Sequence, residues 1–196
     1  MISPLIKMIL FKVILMLCFQ IKEIFSCQAK VSHRQELYCS SSYVFQVQAE
    51  GIDNQGDDLF ERHYRVSVID SYKGRIGTDY EGTITGNGYF MSCGPQILEK
   101  GSKYLIYAYN FDGGIRIREF YKMADIKKTD IDLFRKYDCF CQIVTKKNGV
   151  IMRHLRNANT CSSPIPSGTK CSYRKSYCSR NKQGTCQWAL LNPCGP

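Results

Sequence analysis

The sequence predicts a mainly β protein, with a small closed barrel of about five short strands and a late helix, followed by a small disulfide-rich C-terminal module. Two observations carry this reading. Stretches of alternating apolar and polar residues recur between turn signals from Tyr43 to Phe120. Cysteine density then rises: Cys27, Cys39 and Cys93 are spread over a long region, whereas Cys139, Cys141, Cys161, Cys171, Cys178, Cys186 and Cys194 crowd the end. An OB-fold is one small barrel that fits, and a sandwich fits the same pattern.

In the first strand Tyr43, Phe45, Val47 and Ala49 alternate with Val44, Gln46, Gln48 and Glu50, the period-2 pattern of a half-buried strand. Tyr64, Val66, Val68 and Tyr72 suggest a second strand, and Tyr80 to Thr85 a third that ends at Gly86-Asn87-Gly88. Tyr104 to Tyr109 is the strongest apolar run. After Asp112-Gly113, Ile115, Ile117 and Phe120 alternate with Arg116 and Arg118, so these two strands read as a hairpin with an Asp-Gly turn. Thr129-x-x-Asp132 resembles a capping box, with Ile131, Phe134 and Arg135 at helical spacing. After Cys141, Gly, Pro, Ser and basic residues dominate, which predicts loops and short strands.

Residues 1–26 read as a secretory leader. Lys7 precedes an apolar stretch and Ser26 is the small residue before the break, although Lys12 interrupts the core and Ile24 is large for its position. The apolar run after Lys12 is seven residues long, whereas a bilayer span needs roughly 20. Cleavage before Cys27, secretion to the extracellular space and no membrane association thereafter are therefore expected. The organisation is then a leader at 1–26, a barrel domain at 27–139 and a disulfide-rich domain at 140–196.

The chain carries a net charge of +10, and losing Lys7, Lys12 and Lys22 against Glu23 with the leader leaves +8. A basic surface suits sulfated glycans of an extracellular matrix or acidic protein faces, and nucleic acid is not expected as a partner of a secreted chain. Lys146, Lys147, Arg153, Arg156, Arg174, Lys175, Arg180 and Lys182 read first as a solvated face. Ten of the eleven cysteines remain after cleavage, an even number that reads as five disulfides. That count argues against a cysteine protease, because His33 beside a cysteine needs a free thiol to activate, and no enzymatic activity is expected. No cofactor is expected, and Cys139-Phe140-Cys141 lacks further ligands at the spacing of a zinc module.

Cleavage before Cys27 would leave a cysteine with a free α-amine. The amine and the carbonyl of one residue form a chelating pair that closes a five-membered ring on a metal ion. A disulfide from the same cysteine would fix that pair in space. Cys27 as a purely structural half-cystine is the plainer reading of the same residue.

At this point the chain resembles the tissue inhibitors of metalloproteinases. Cys27 and Cys39 are twelve apart with His33, Gln35 and Tyr38 between them, similar to that family's amino-terminal segment. A strand ending in tyrosine-lysine-glycine is matched by Tyr64 to Gly74, the Cys-Gly after the second reactive loop by Cys93-Gly94, and the strand-turn-strand by Tyr104 to Ile117. Ser167-Gly168-Thr169-Lys170-Cys171 and Cys186-Gln187-Trp188 match the family's carboxy-terminal motifs. The resemblance implies a netrin-like OB-fold domain and a smaller disulfide-rich domain, acting as a monomer that blocks zinc metalloproteinases one to one. Cys27 would chelate the target's zinc and displace its water, and Gln28 would enter the specificity pocket. Ala29 and Lys30 would follow it, with the loop Tyr89-Phe90-Met91-Ser92 alongside. From the residues alone, Tyr89, Phe90 and Met91 read equally well as the end of a core strand.

The chain departs from the family at Ala29 and Phe120, where both halves of one family bridge are absent together. Such a loss costs about 2 to 4 kcal/mol, offset in part if Phe120 packs in the core. The resemblance leaves Cys27–Cys93 and Cys39–Cys139 as the expected pairs of the first domain. In the last module, spacing suggests Cys141–Cys186 and Cys171–Cys178, which leaves Cys161 with Cys194. The competing functional reading is a netrin-like module that binds extracellular matrix or glycosaminoglycan without inhibitory activity.

Overall fold

The computed structural model describes residues 33–53, 59–77, 79–145, 158–163 and 175–191. Strands β1 (Tyr43–Ile52), β2 (Glu61–Lys73), β3 (Glu81–Asn87), β4 (Lys103–Phe111) and β5 (Gly114–Lys122) close a barrel in the order β1-β2-β3-β5-β4. The β3–β5 contact is short and parallel, pairing Ile84 with Ile115 and Thr85 with Arg116. The other neighbours are antiparallel. A closed barrel of this order is the OB-fold, and the sandwich is excluded.

The strand signals come from inward-facing residues. Phe45, Val47 and Ala49 of β1, Tyr64, Val66 and Val68 of β2, and Ile84 of β3 fill the barrel interior with Tyr104, Ile106 and Ala108 of β4. The continuous apolar run in β4 has a second cause. Leu105 and Tyr107 face outward yet are buried, because they meet Val44 and Phe134 in a second core outside the barrel. For the same reason Val44, expected on the polar face of β1, is fully buried.

Asp112 (φ 49°) and Gly113 (φ 75°) both take the left-handed conformation at the β4–β5 turn, which matches the twist of a two-residue hairpin. The odd spacing of Ile117 and Phe120 is a register shift: Ala108 pairs with Ile117, while Tyr107 pairs with Glu119, leaving Arg118 as the extra residue. Phe120 thereby turns inward, packs against the barrel core and meets the Tyr104 ring edge-on at 5.8 Å.

Two short helices cover the second core. Helix α1 (Arg34–Ser40) precedes the barrel, and the sequence reading places no helix there. Helix α2 (Lys128–Asp132) continues into a 3-10 turn at Leu133–Lys136. Its cap lies two residues earlier than expected: the Asp130 carboxylate accepts from the Lys127 N–H at 3.0 Å, so Thr129 is inside the helix and Asp132 is its last residue. Asp130 is used twice, since Arg34 of α1 approaches it at 2.6 Å and ties the two helices together. Burial works against the Arg34 charge, but the bond to Asp130 outweighs it and holds the guanidinium above its ordinary pKa.

The second core contains three tyrosines whose ionisation the fold opposes. Tyr38 stacks on Phe134 at 5.0 Å, and Tyr72 meets the same ring at 5.3 Å. Tyr107 is fully buried, and its hydroxyl has no hydrogen-bond partner among the described residues. Burial pushes all three phenols up, with the Asp70 charge helping to carry Tyr72 to about 12. Above pH ~10 an unfolded chain's phenols lose their protons while these three keep theirs. Their contribution is therefore intact below that pH and is lost as pH rises. Denaturant midpoints should fall continuously between about pH 10 and 12. While the fold is intact, the tyrosinate absorbance of these residues should appear only above the ordinary phenol range. Titration of every phenol near its ordinary value with the fold intact would contradict this account.

After the barrel, β6 (Gln142–Thr145) pairs in parallel with β7 (Thr160–Ser163), and β8 (Ser176–Arg180) pairs antiparallel with β9 (Cys186–Leu190). Disulfides join Cys39 to Cys139 and Cys141 to Cys186. The remaining expectation for this module is corrected. Cys161 is bonded to Cys178, so neither Cys171–Cys178 nor Cys161–Cys194 forms. The register explains the choice: β7 carries Cys161 and β8 carries Cys178 into one buried cluster with Cys141 and Cys186, walled by Ile143 and Trp188. Sequence spacing could not weigh that strand placement. Among the described residues no helix is long and apolar enough to cross a membrane.

Candidate functional site

The predicted contact loop follows β3. Its first residues continue the β2–β3 ladder past the strand end, because Gly88 donates to the Phe60 carbonyl (2.8 Å) and Phe90 to the Leu59 carbonyl (2.7 Å). The chain then turns back at Gly94, whose N–H donates to Met91 O at 2.8 Å and whose φ of 69° favours glycine. Cys93, at the turn, is in a disulfide. Tyr89 is 54% and Phe90 66% exposed, and Ser92 is also exposed, with Met91 half-buried. The loop is therefore a surface feature and not the end of a core strand.

The base of this loop is fastened by one residue, Gln96, through its backbone and its side chain. Gln96 donates its N–H to Asn87 O (3.0 Å) and receives the Asn87 N–H on its Oε1 (2.9 Å). Gln96 O in turn accepts from the buried Tyr64 hydroxyl at 2.6 Å. Gly86 permits this closeness, since a Cβ there would sit 3.3 Å from the Gln96 side chain and 3.4 Å from the Tyr64 ring.

Residues that sequence reasoning missed sit beside the loop. Phe60, 56% exposed, meets the Phe90 ring edge-on at 5.8 Å, and Leu59 next to it is also exposed. Together with Tyr89 they form an apolar ridge, the kind of surface that marks an interaction site. Phe60 precedes Glu61, at the β1–β2 connection, and no periodic signal singles it out. Just behind the ridge, Glu61 binds Arg116 at 2.7 Å, and the Arg116 guanidinium lies over Phe111 at 4.9 Å.

A second cluster joins α1 to the C-terminal strands. His33 accepts the Gln35 N–H on Nδ1 at 3.2 Å, so its Nε2 carries the proton and faces Ser176 Oγ at 3.2 Å. The His33 ring also lies 5.1 Å from Trp188. The Gln35 amide accepts from the Cys178 N–H (2.7 Å) and donates to the Cys178 carbonyl (2.7 Å), as a neighbouring strand would. His33 thus has a structural role at a junction, with no free thiol among the described cysteines to activate. The sulfurs of Cys141, Cys178 and Cys186 lie within 4.8 Å of one another. All three are tied in disulfides, so none offers the thiolate that a metal would require.

Cys27, Gln28, Ala29 and Lys30 lie outside the described residues, as do Lys146, Lys147, Arg153, Arg156, Cys171, Arg174 and Cys194. Of the basic residues that are described, Arg180 is committed to Asp138 (2.7 Å) and covers the exposed Phe140 ring, which is the behaviour of a solvated face. Comparison with family models and with curated proteins finds no match for the chain.

Proposed function

We propose that the chain is a secreted inhibitor of zinc metalloproteinases, a monomer that occludes one active site through the amine and carbonyl of a mature Cys27. In this reading Gln28 enters the pocket beside the zinc, and Tyr89 to Ser92 lie alongside. The observation that carries it is the exposed aromatic loop with a disulfide-bonded Cys93 at its turn, projecting from an OB-fold barrel. A loop stiffened by a bridge and by the Gln96 fastening loses little entropy on binding. What supports the terminal chelate is the leader-like 1–26 segment ending just before Cys27. A matrix-binding module is the second reading, favoured by the net charge of +8 after leader removal and by exposed Lys127, Lys128, Arg135 and Lys136 around α2.

The test is titration of the form beginning at Cys27 against a panel of zinc metalloproteinase catalytic domains. Stoichiometric loss of activity at one equivalent is expected for at least one member. Full activity throughout the panel, with the disulfides of the inhibitor intact, would move the assignment to matrix binding.

A further inference from the structure

We propose that Arg62 is a positioning residue: it props the Tyr89–Phe90 tip against the loop base and so governs which proteinases the loop accepts. The second half of this statement rests on the inhibitor reading above; the first does not. Arg62 is 5% exposed although it carries a permanent charge. Its Nε donates to the Tyr64 hydroxyl at 2.8 Å, and the same hydroxyl donates onward to Gln96 O. The guanidinium is 5.9 Å from the Tyr64 ring centroid and 5.3 Å from that of Tyr89.

Arg62 therefore touches both parts of the loop. On one side it enters the Tyr64–Gln96–Asn87 chain that closes the base, and on the other it supports the exposed Tyr89 ring. A planar guanidinium supplies a directed N–H and a stackable face together, with a permanent charge. A lysine would keep the charge over the ring but lose the directed bond to Tyr64. The geometry predicts coupling between residues 62 and 89 that an ordinary packing residue would not show.

The experiment compares Arg62→Leu, Tyr89→Ala, the double variant and Arg62→Lys. Inhibition constants are measured against two proteinases with differently shaped pockets, and amide exchange is followed at Phe90 and Gly94. Arg62→Leu should weaken inhibition about tenfold, and unequally for the two targets. Adding Tyr89→Ala should then cost little more, the sign of two residues acting as one. Arg62→Lys should recover roughly half of the loss on a logarithmic scale. Exchange at Phe90 should speed up about tenfold in Arg62→Leu while β4 amides stay protected. Additive effects of the two single variants, or unchanged exchange at Phe90, would overturn the proposal. If the parent protein inhibits nothing, the inhibitor reading fails, and the exchange at Phe90 still decides whether Arg62 positions the loop.

Discussion

A single alanine placed ahead of Cys27 is expected to weaken inhibition at least about a thousandfold, ~4 kcal/mol, with no change in thermal stability. A catalytic zinc keeps three protein ligands and one open position that normally holds water. In the proposed mature form the α-amine of Cys27, with an unperturbed pKa near roughly 8, would be partly neutral at physiological pH and would donate its lone pair to that position. Its carbonyl completes the five-membered ring. An added residue turns the amine into an amide, whose lone pair is delocalised and no longer basic, and it puts backbone where the metal must approach. Both effects act on the bound state alone. The fold is indifferent, because the barrel and both helices are built from residues after His33. Side-by-side inhibition curves for the two forms, with matched melting curves, provide the check. Equal inhibition by both would mean that a target is blocked through another surface, and the ridge of Phe60, Tyr89 and Phe90 would be the first to alter.

The barrel was largely legible in the sequence because most of its strands obey a period of two around one interior. Where the pattern broke, a second layer was the reason. Val44 breaks the alternation of β1 because helices cover the outer face at that end, and Tyr104 to Ala108 are all buried because β4 lies between two cores. Helix α1 was hidden for another reason. It is seven residues long, too short for helical periodicity to show, and a histidine rather than Ser, Thr, Asp or Asn caps it. The disulfides divide along the same line. Cys39 and Cys139 follow from a resemblance that runs along the chain, whereas the Cys161–Cys178 bond depends on which strands meet, and no local pattern encodes that. At the candidate site, the loop from Tyr89 to Ser92 was nameable from its neighbours in sequence. Phe60 and Arg62 were not, because their significance comes from a ring and a hydroxyl contributed by other segments.

Gln35→Ala is expected to cost about 3 kcal/mol and to split the unfolding transition into two. Gln35 is 1% exposed, and its amide is bonded at both ends. It accepts from the Cys178 N–H and donates to Cys178 O, each at 2.7 Å, with a further bond to Asp138 O at 3.1 Å. Truncation strands a buried donor and a buried acceptor on β8, each costing roughly 1 to 3 kcal/mol, whereas making such bonds returns only about 1 kcal/mol apiece. An exposed pair such as Lys122 with Glu99 contributes less than either. Because Gln35 belongs to α1 and Cys178 to β8, the loss falls on the junction between barrel and C-terminal strands. The single tryptophan, Trp188, sits on the C-terminal side of that junction. Its fluorescence should therefore change several degrees before the far-ultraviolet signal of the barrel. Gln35→Glu separates hydrogen bonding from volume. Its carboxylate keeps the shape and can accept from Cys178 N–H, but it cannot donate to the two carbonyls. Protonation restores one donor, so the fold favours this variant's acid and raises its pKa; its stability should recover as pH falls toward the ordinary glutamate value of about 4.3 and change little below it. Coincident transitions at the parent melting temperature in Gln35→Ala would show that the junction is held by the disulfides and by His33 instead.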